Sequence, residues 1–115
     1  MKTVIRVLAL VIALIGLIGV TESRDIFSYE RVYAYRTDTY TEYFSAYGRA
    51  EVIVVGDHDT DLDVYVYDEN GYLVGEDDDR SDNCYVSWTP RWSGWFEIRV
   101  VNRGGVYNDY RIETN

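Results

Sequence analysis

Leu62-Asp63-Val64-Tyr65-Val66-Tyr67 alternates without a break, and Asp68-Glu69-Asn70-Gly71 follows it directly. A period of two places Leu62, Val64 and Val66 on one face and Asp61, Asp63, Tyr65 and Tyr67 on the other, which is the signature of a half-buried strand. Asn-Gly supplies the backbone of a tight hairpin, so the chain reverses here, and Tyr72 to Gly75 is expected as the return strand. The same rhythm recurs. Tyr40, Glu42, Phe44 and Ala46 share a parity, as do Ala50, Val52 and Val54; Cys84, Val86 and Trp88; Phe96, Ile98 and Val100; and Tyr110 with Ile112. Turn residues separate these runs at Tyr47-Gly48-Arg49, from Thr89-Pro90 to Gly94, and at Asn102-Arg103-Gly104-Gly105. Seven or eight short strands punctuated in this way predict an all-β fold, an antiparallel β-sandwich. Twelve Tyr, three Trp, three Phe and a single Pro are strand composition.

The start of the chain is of another kind. Lys2 and Arg6 precede the uncharged apolar run Val7–Val20, and Thr21-Glu22-Ser23 follows. Residues 1–23 therefore read as a signal-peptide helix, because a spanning helix needs about 20 apolar residues. An uncleaved N-terminal anchor is the alternative, and only through it would the chain meet a membrane. Either way the remainder is expected to be secreted or to lie in the periplasm or cell envelope. Residues 24–36 lack a clean period and read as a linker or an extra edge strand. Residues 37–115 form the sandwich domain.

Charge is concentrated in one place. Residues 24–115 hold nineteen acids and nine bases, a net of −10. Residues 57–82 hold eleven acids and only Arg80, which accounts for all of it. Such a chain repels a phosphate backbone, so nucleic acid is excluded as a partner. Asp57, Asp59, Asp61 and Asp63 repeat at every second position, with Asp77, Asp78, Asp79 and Asp82 as a second set beyond the hairpin. An EF-hand is excluded, since the sixth residue from Asp57 is Leu62 where that loop needs Gly. Two readings stand. Carboxylates without a His or Cys cluster suit a hard cation, so these eight aspartates are candidate calcium ligands. Alternatively they are solvated loop residues that favour turns and keep the protein soluble.

Catalysis finds little support. His58 is the only histidine, it lies among aspartates, and no nucleophile-elbow sequence is present. A chain of this length as a sandwich offers no deep cleft for a glycosidase carboxylate pair. The protein is expected not to be an enzyme. Cys84 is alone and excludes an internal disulfide; it reads as a small buried hydrophobe. Trp92 and Trp95 flank a Ser-Gly turn. They are candidate ligand-binding residues for sugar or peptide stacking, or else caps on the sandwich edge.

Asp61-Leu62-Asp63-Val64-Tyr65-Val66-Tyr67-Asp68, then Trp88-Thr89-Pro90, then Gly94-Trp95-Phe96-Glu97-Ile98-Arg99-Val100 resembles the bacterial pre-peptidase C-terminal (PPC) domain family over roughly Thr37 to Asn115. The resemblance implies a sandwich of jelly-roll character and a non-catalytic role. It also implies calcium binding in some members, and binding of insoluble substrates such as collagen or polysaccharide in others. The expectation is a secreted binding or accessory module, calcium-stabilised, with an extracellular protein or polysaccharide as partner. The alternative is an inhibitor or chaperone of a secreted hydrolase.

Overall fold

The computed structural model describes the backbone of residues 2–5 and the whole of residues 26–115. Among the described residues nine strands run in chain order: β1 (Lys2–Ile5), β2 (Phe27–Val32), β3 (Thr37–Phe44), β4 (Ala50–Val55), β5 (Leu62–Tyr67), β6 (Leu73–Asp77), β7 (Asn83–Trp88), β8 (Gly94–Asn102) and β9 (Asn108–Thr114). They form two sheets, ordered β1-β3-β8-β5-β6 and β2-β9-β4-β7. Every pairing from β2 onward is antiparallel. Eight strands ordered 3-8-5-6 over 2-9-4-7 make the antiparallel sandwich expected from the strand pattern, with the jelly-roll character that the resemblance implied. There is no helix among the described residues.

Lys2–Ile5 departs from the helical leader reading, because it pairs in parallel with β3, Lys2 opposite Asp38 and Ile5 opposite Thr41. The leader's apolar run, Val7–Val20, lies outside the described residues. Phe27–Val32, in the segment without a clean period, is an edge strand on β9.

The core is built from the parities that alternate in sequence. Tyr40, Leu62, Val64, Val66, Ile98 and Val100 of one sheet meet Val52, Val54, Val86, Tyr110 and Ile112 of the other, all buried. Fully burying one such Val or Ile side chain stabilises by about 1.5–3 kcal/mol, and this sets the register. A pair of tyrosine hydroxyls makes a polar link across the core. The hydroxyls of Tyr40 and Tyr110 lie 2.6 Å apart, and Tyr110 donates to Asp38 Oδ2 at 2.6 Å. Burial pushes the Tyr110 hydroxyl far above the ordinary tyrosine range, so it stays a donor. The rings of Phe44, Trp88 and Phe96 close one end of the core, with centroids 4.9–5.8 Å apart.

β5 and β6 form the hairpin that Asn70-Gly71 announces. Gly71 takes φ +85° and its N–H donates to the Asp68 carbonyl at 3.0 Å. The return strand runs two residues past Gly75, because Glu76 and Asp77 stay in register with Tyr65 and Val64. Most other connections cross between sheets, so the loops gather at two poles. One pole holds the β2–β3, β4–β5, β6–β7 and β8–β9 loops; the opposite pole holds β3–β4, β5–β6 and β7–β8.

Candidate binding surface

The first pole takes most of the acidic block, and buried amides tie its loops together. Asn102, fully buried, donates from Nδ2 to the carbonyls of Val106 (2.8 Å), Val32 (3.2 Å) and Tyr33 (3.3 Å), and accepts the Gly104 N–H. Asn108, also buried, donates to Asp82 Oδ2 at 3.0 Å and Thr60 Oγ1 at 3.1 Å, and accepts the Asp57 N–H. Asp82 Oδ2 further accepts the His58 N–H at 2.6 Å, while the Asp82 carbonyl accepts the Gly56 N–H. Gly56 is needed there, since a Cβ at that position would run into the Asp82 carboxylate. The loops sit side by side in the order β2–β3, β8–β9, β4–β5, β6–β7. Tyr35 N–H bonds the Gly104 carbonyl, Arg103 N–H that of Asp61, and Gly56 that of Asp82.

The eight candidate metal ligands therefore have different surroundings. Asp57 accepts the N–H groups of Asp59 and Asp109, and Asp82 is engaged as above. Asp77 accepts from Tyr85 N–H at 2.9 Å, and Asp79 from Ser81 N–H at 2.8 Å. Asp63, on the outward parity yet buried, is held by Arg103 Nε at 2.7 Å. Asp59 and Asp78 stand exposed. Only Asp61 Oδ1 and Asp63 Oδ1 are buried oxygens of this block with no hydrogen-bond partner. Desolvation, and the negative charge of Asp63 and Asp79, raise Asp61 above the usual carboxylate range. Two such oxygens suit a hard cation in chemistry but fall short of the six to eight that calcium takes. Among the described residues no group of three or more His, Cys, Asp or Glu is placed to hold a metal.

No catalytic set is assembled among the described residues. His58 Nδ1 is exposed and 3.4 Å from Asp82 Oδ1. The Cys84 thiol is buried, bonds the Leu62 carbonyl at 3.0 Å, and is pushed by burial to high pKa, so it is a poor nucleophile. An open groove of about 640 Å³ crosses β2, β9 and β4, but its Asp109 is paired with Arg31 at 2.6 Å and held below its ordinary value. A glycosidase acid needs the opposite shift.

Trp92 and Trp95 lie near the second pole and line separate grooves. Trp92 joins Tyr72, Trp88 and Pro90 around about 330 Å³, whereas Trp95 packs edge-on against Tyr43 at 5.5 Å on the outer face of its sheet. Exposed aromatics occur at both poles, with Tyr47 and Tyr72 at this one. Tyr33, Tyr35 and Tyr107 project from the first pole, and Phe27 and Tyr29 from the β2 edge. Tyr33 and Tyr35 are not legible as surface residues in the sequence, because an exposed tyrosine and a buried one look alike without a clear period.

No family model matches the chain, and no curated protein matches it. Its fold is similar to that of the pre-peptidase C-terminal domain of a collagenase from Bacillus anthracis, with a TM-score of 0.58 and 10% identity over 76% of this chain and 88% of that one. It is also similar to PliG of Aeromonas hydrophila, a periplasmic lysozyme inhibitor of g-type lysozyme, with a TM-score of 0.64 and 13% identity over 99% of this chain and 95% of that one. At these identities the likeness is one of fold: the chain is a jelly-roll sandwich of a shape similar to a collagenase's pre-peptidase C-terminal domain and to a lysozyme inhibitor.

Proposed function

We propose that this is an exported, non-catalytic protein that docks on a secreted or periplasmic cell-wall hydrolase and inhibits it. The observation that carries this reading is where the apolar surface lies. Among the described residues twelve large hydrophobic side chains remain exposed although the core is filled, and seven of them are tyrosines. Tyrosine is enriched at protein interfaces because it offers a rigid apolar ring with a hydrogen-bonding tip. The fold correspondence with PliG over nearly the whole of both chains supports the same reading. The purified protein is expected to bind g-type lysozyme with a Kd of about 1 µM or tighter and to slow its clearing of a peptidoglycan suspension. Full lysozyme activity in the presence of a large molar excess rejects inhibition.

A second reading is an accessory module of the pre-peptidase C-terminal type, stabilised by calcium and binding polysaccharide or protein. The unpartnered oxygens of Asp61 and Asp63 favour the cation, with water completing the shell, and the Trp92 groove favours an extended ligand. Two protein oxygens imply weak binding, with a Kd of about 1 mM. At a calcium concentration about five times that value, the gain is about 1 kcal/mol, a few degrees in melting temperature. Asp61→Asn should abolish the gain. Superimposable melting curves with calcium and with chelator would reject the site.

A further inference from the structure

The two poles differ in a way that singles out one as the docking face. At the first pole the β2–β3 and β8–β9 loops present Tyr33 (61% exposed), Tyr35 (74%), Val106 (54%) and Tyr107 (43%). The loops that carry them are held together. The Tyr35 ring lies against Gly105, Asn102 ties the backbone of Tyr33 to that of Val106, and Tyr107 stacks beneath the Arg31 guanidinium at 3.8 Å. Directly beside them, the β4–β5 and β6–β7 loops carry Asp57, Asp59, Asp61, Asp78, Asp79 and Asp82 against Arg80 alone. One half of the pole is aromatic and carries Arg36 and Arg103; the other half is acidic, six aspartates against one arginine. The loops of the second pole also expose aromatic rings, Tyr47, Tyr72 and Trp92, but their charges are balanced, Asp68 and Glu69 against Arg49 and Arg91, so it is the acidic half that sets the first pole apart.

From this we infer that the first pole is the docking surface, and that its occupant is a basic face of a folded protein. The inference rests on the reading of the protein as a hydrolase-binding module and adds which surface binds and what charge it meets. Tyrosines supply the buried contact area at the centre of such an interface, while the aspartates beside them attract a cationic partner and set its orientation. The buried amides of Asn102 and Asn108 hold all four loops before the partner arrives, so little ordering entropy is lost on binding. A polyanionic surface, whether nucleic acid or an anionic lipid headgroup layer, would be repelled from the acidic half.

Two residues allow a matched comparison. Tyr35 (φ 58°) and Tyr47 (φ 65°) both adopt the left-handed conformation, both are exposed, and they sit at opposite poles. Asn tolerates that conformation better than Tyr, so Tyr35→Asn and Tyr47→Asn should both fold. Binding is measured by biolayer interferometry against a panel of g-type lysozyme, c-type lysozyme and a basic peptidoglycan amidase, alongside inhibition of each. Tyr35→Asn is expected to weaken binding about tenfold or more, chiefly through faster dissociation. Asp59→Asn with Asp78→Asn should slow association and flatten its dependence on salt. Tyr47→Asn should change neither. If the panel member that binds wild type is lost by Tyr47→Asn or Trp92→Ala and kept by the first-pole variants, this assignment is overturned while the hydrolase-binding reading stands. If the first-pole variants lose binding but wild type inhibits nothing, the surface stands and inhibition falls. Failure of wild type to bind any of the three overturns both.

Discussion

Asp82→Ala is expected to lower the unfolding free energy by about 2–4 kcal/mol, the largest loss from any single acid in the 57–82 block. The carboxylate is buried and accepts the His58 N–H at 2.6 Å and Asn108 Nδ2 at 3.0 Å. Bonds to a charged acceptor contribute about 1.5–3 kcal/mol each, and their loss leaves the buried Asn108 amide short of an acceptor. Part of the loss is recovered because Asn108 keeps Thr60 Oγ1 as an acceptor. Asp82→Asn preserves shape and one acceptor oxygen, so its loss should be nearer 1 kcal/mol. Urea unfolding checks both, through a shift of midpoint at constant slope. An Asp82→Ala midpoint equal to that of wild type would mean that the β4–β5 and β6–β7 loops are held by something else.

The jelly roll was legible where burial is one-sided. β5, β7 and β8 each set a clean apolar parity against polar or aromatic neighbours, and their registers follow from it. β2 inverts the rule. Its exposed positions are Phe27, Tyr29 and Arg31, its half-buried ones Ser28 and Glu30, and only Val32 is fully buried. An edge strand packs one flank only, so hydropathy says little about it. The end of β6 misleads for another reason. Glu76-Asp77 looks like loop by composition, yet Asp77 is held in the sheet because its carboxylate accepts the Tyr85 N–H of the neighbouring β7. A poor strand former gains there as an acceptor what it lacks in propensity.

The acidic block was visible, but its spacing carries two meanings. A carboxylate at every second position suits a metal loop, and it equally suits Asx turns, in which an aspartate accepts the N–H two residues on. Asp57 with Asp59, Asp68 with Asn70, Asp77 with Asp79 and Asp79 with Ser81 all take the second form. The residues that organise the pole were not legible. Asn102 and Asn108 sit among turn residues, and nothing in their neighbourhood distinguishes a buried amide bonded to several loops from a solvated one. The decisive information is long-range: Asn102 reaches Val32 and Tyr33, about seventy residues away.

Asn102→Ala should cost about 2–4 kcal/mol, and Asn102→Asp should cost more at neutral pH despite matching the side chain in shape. Alanine removes the donors and leaves the carbonyls of Val32, Tyr33 and Val106 short of a partner, along with the Gly104 N–H. Aspartate restores the acceptor for Gly104 but aims a second negatively charged oxygen at carbonyl oxygens, in a site with no solvent exposure to screen it. The sign of the pH dependence follows. Burial against carbonyls raises the introduced carboxyl above its unfolded value, so the folded form binds the proton more tightly. The stability this contributes is complete below the unfolded carboxyl range and disappears as pH rises through the raised folded value. Asn102→Asp should therefore regain stability on acidification relative to Asn102→Ala, since the protonated carboxyl can again donate to one of the carbonyls. Thermal melts of the two variants across the acidic range test this directly. Parallel curves, with no relative gain for the aspartate variant, would show that the amide donors do not hold the tyrosine loops in place, and the pre-formed docking face would lose its physical basis.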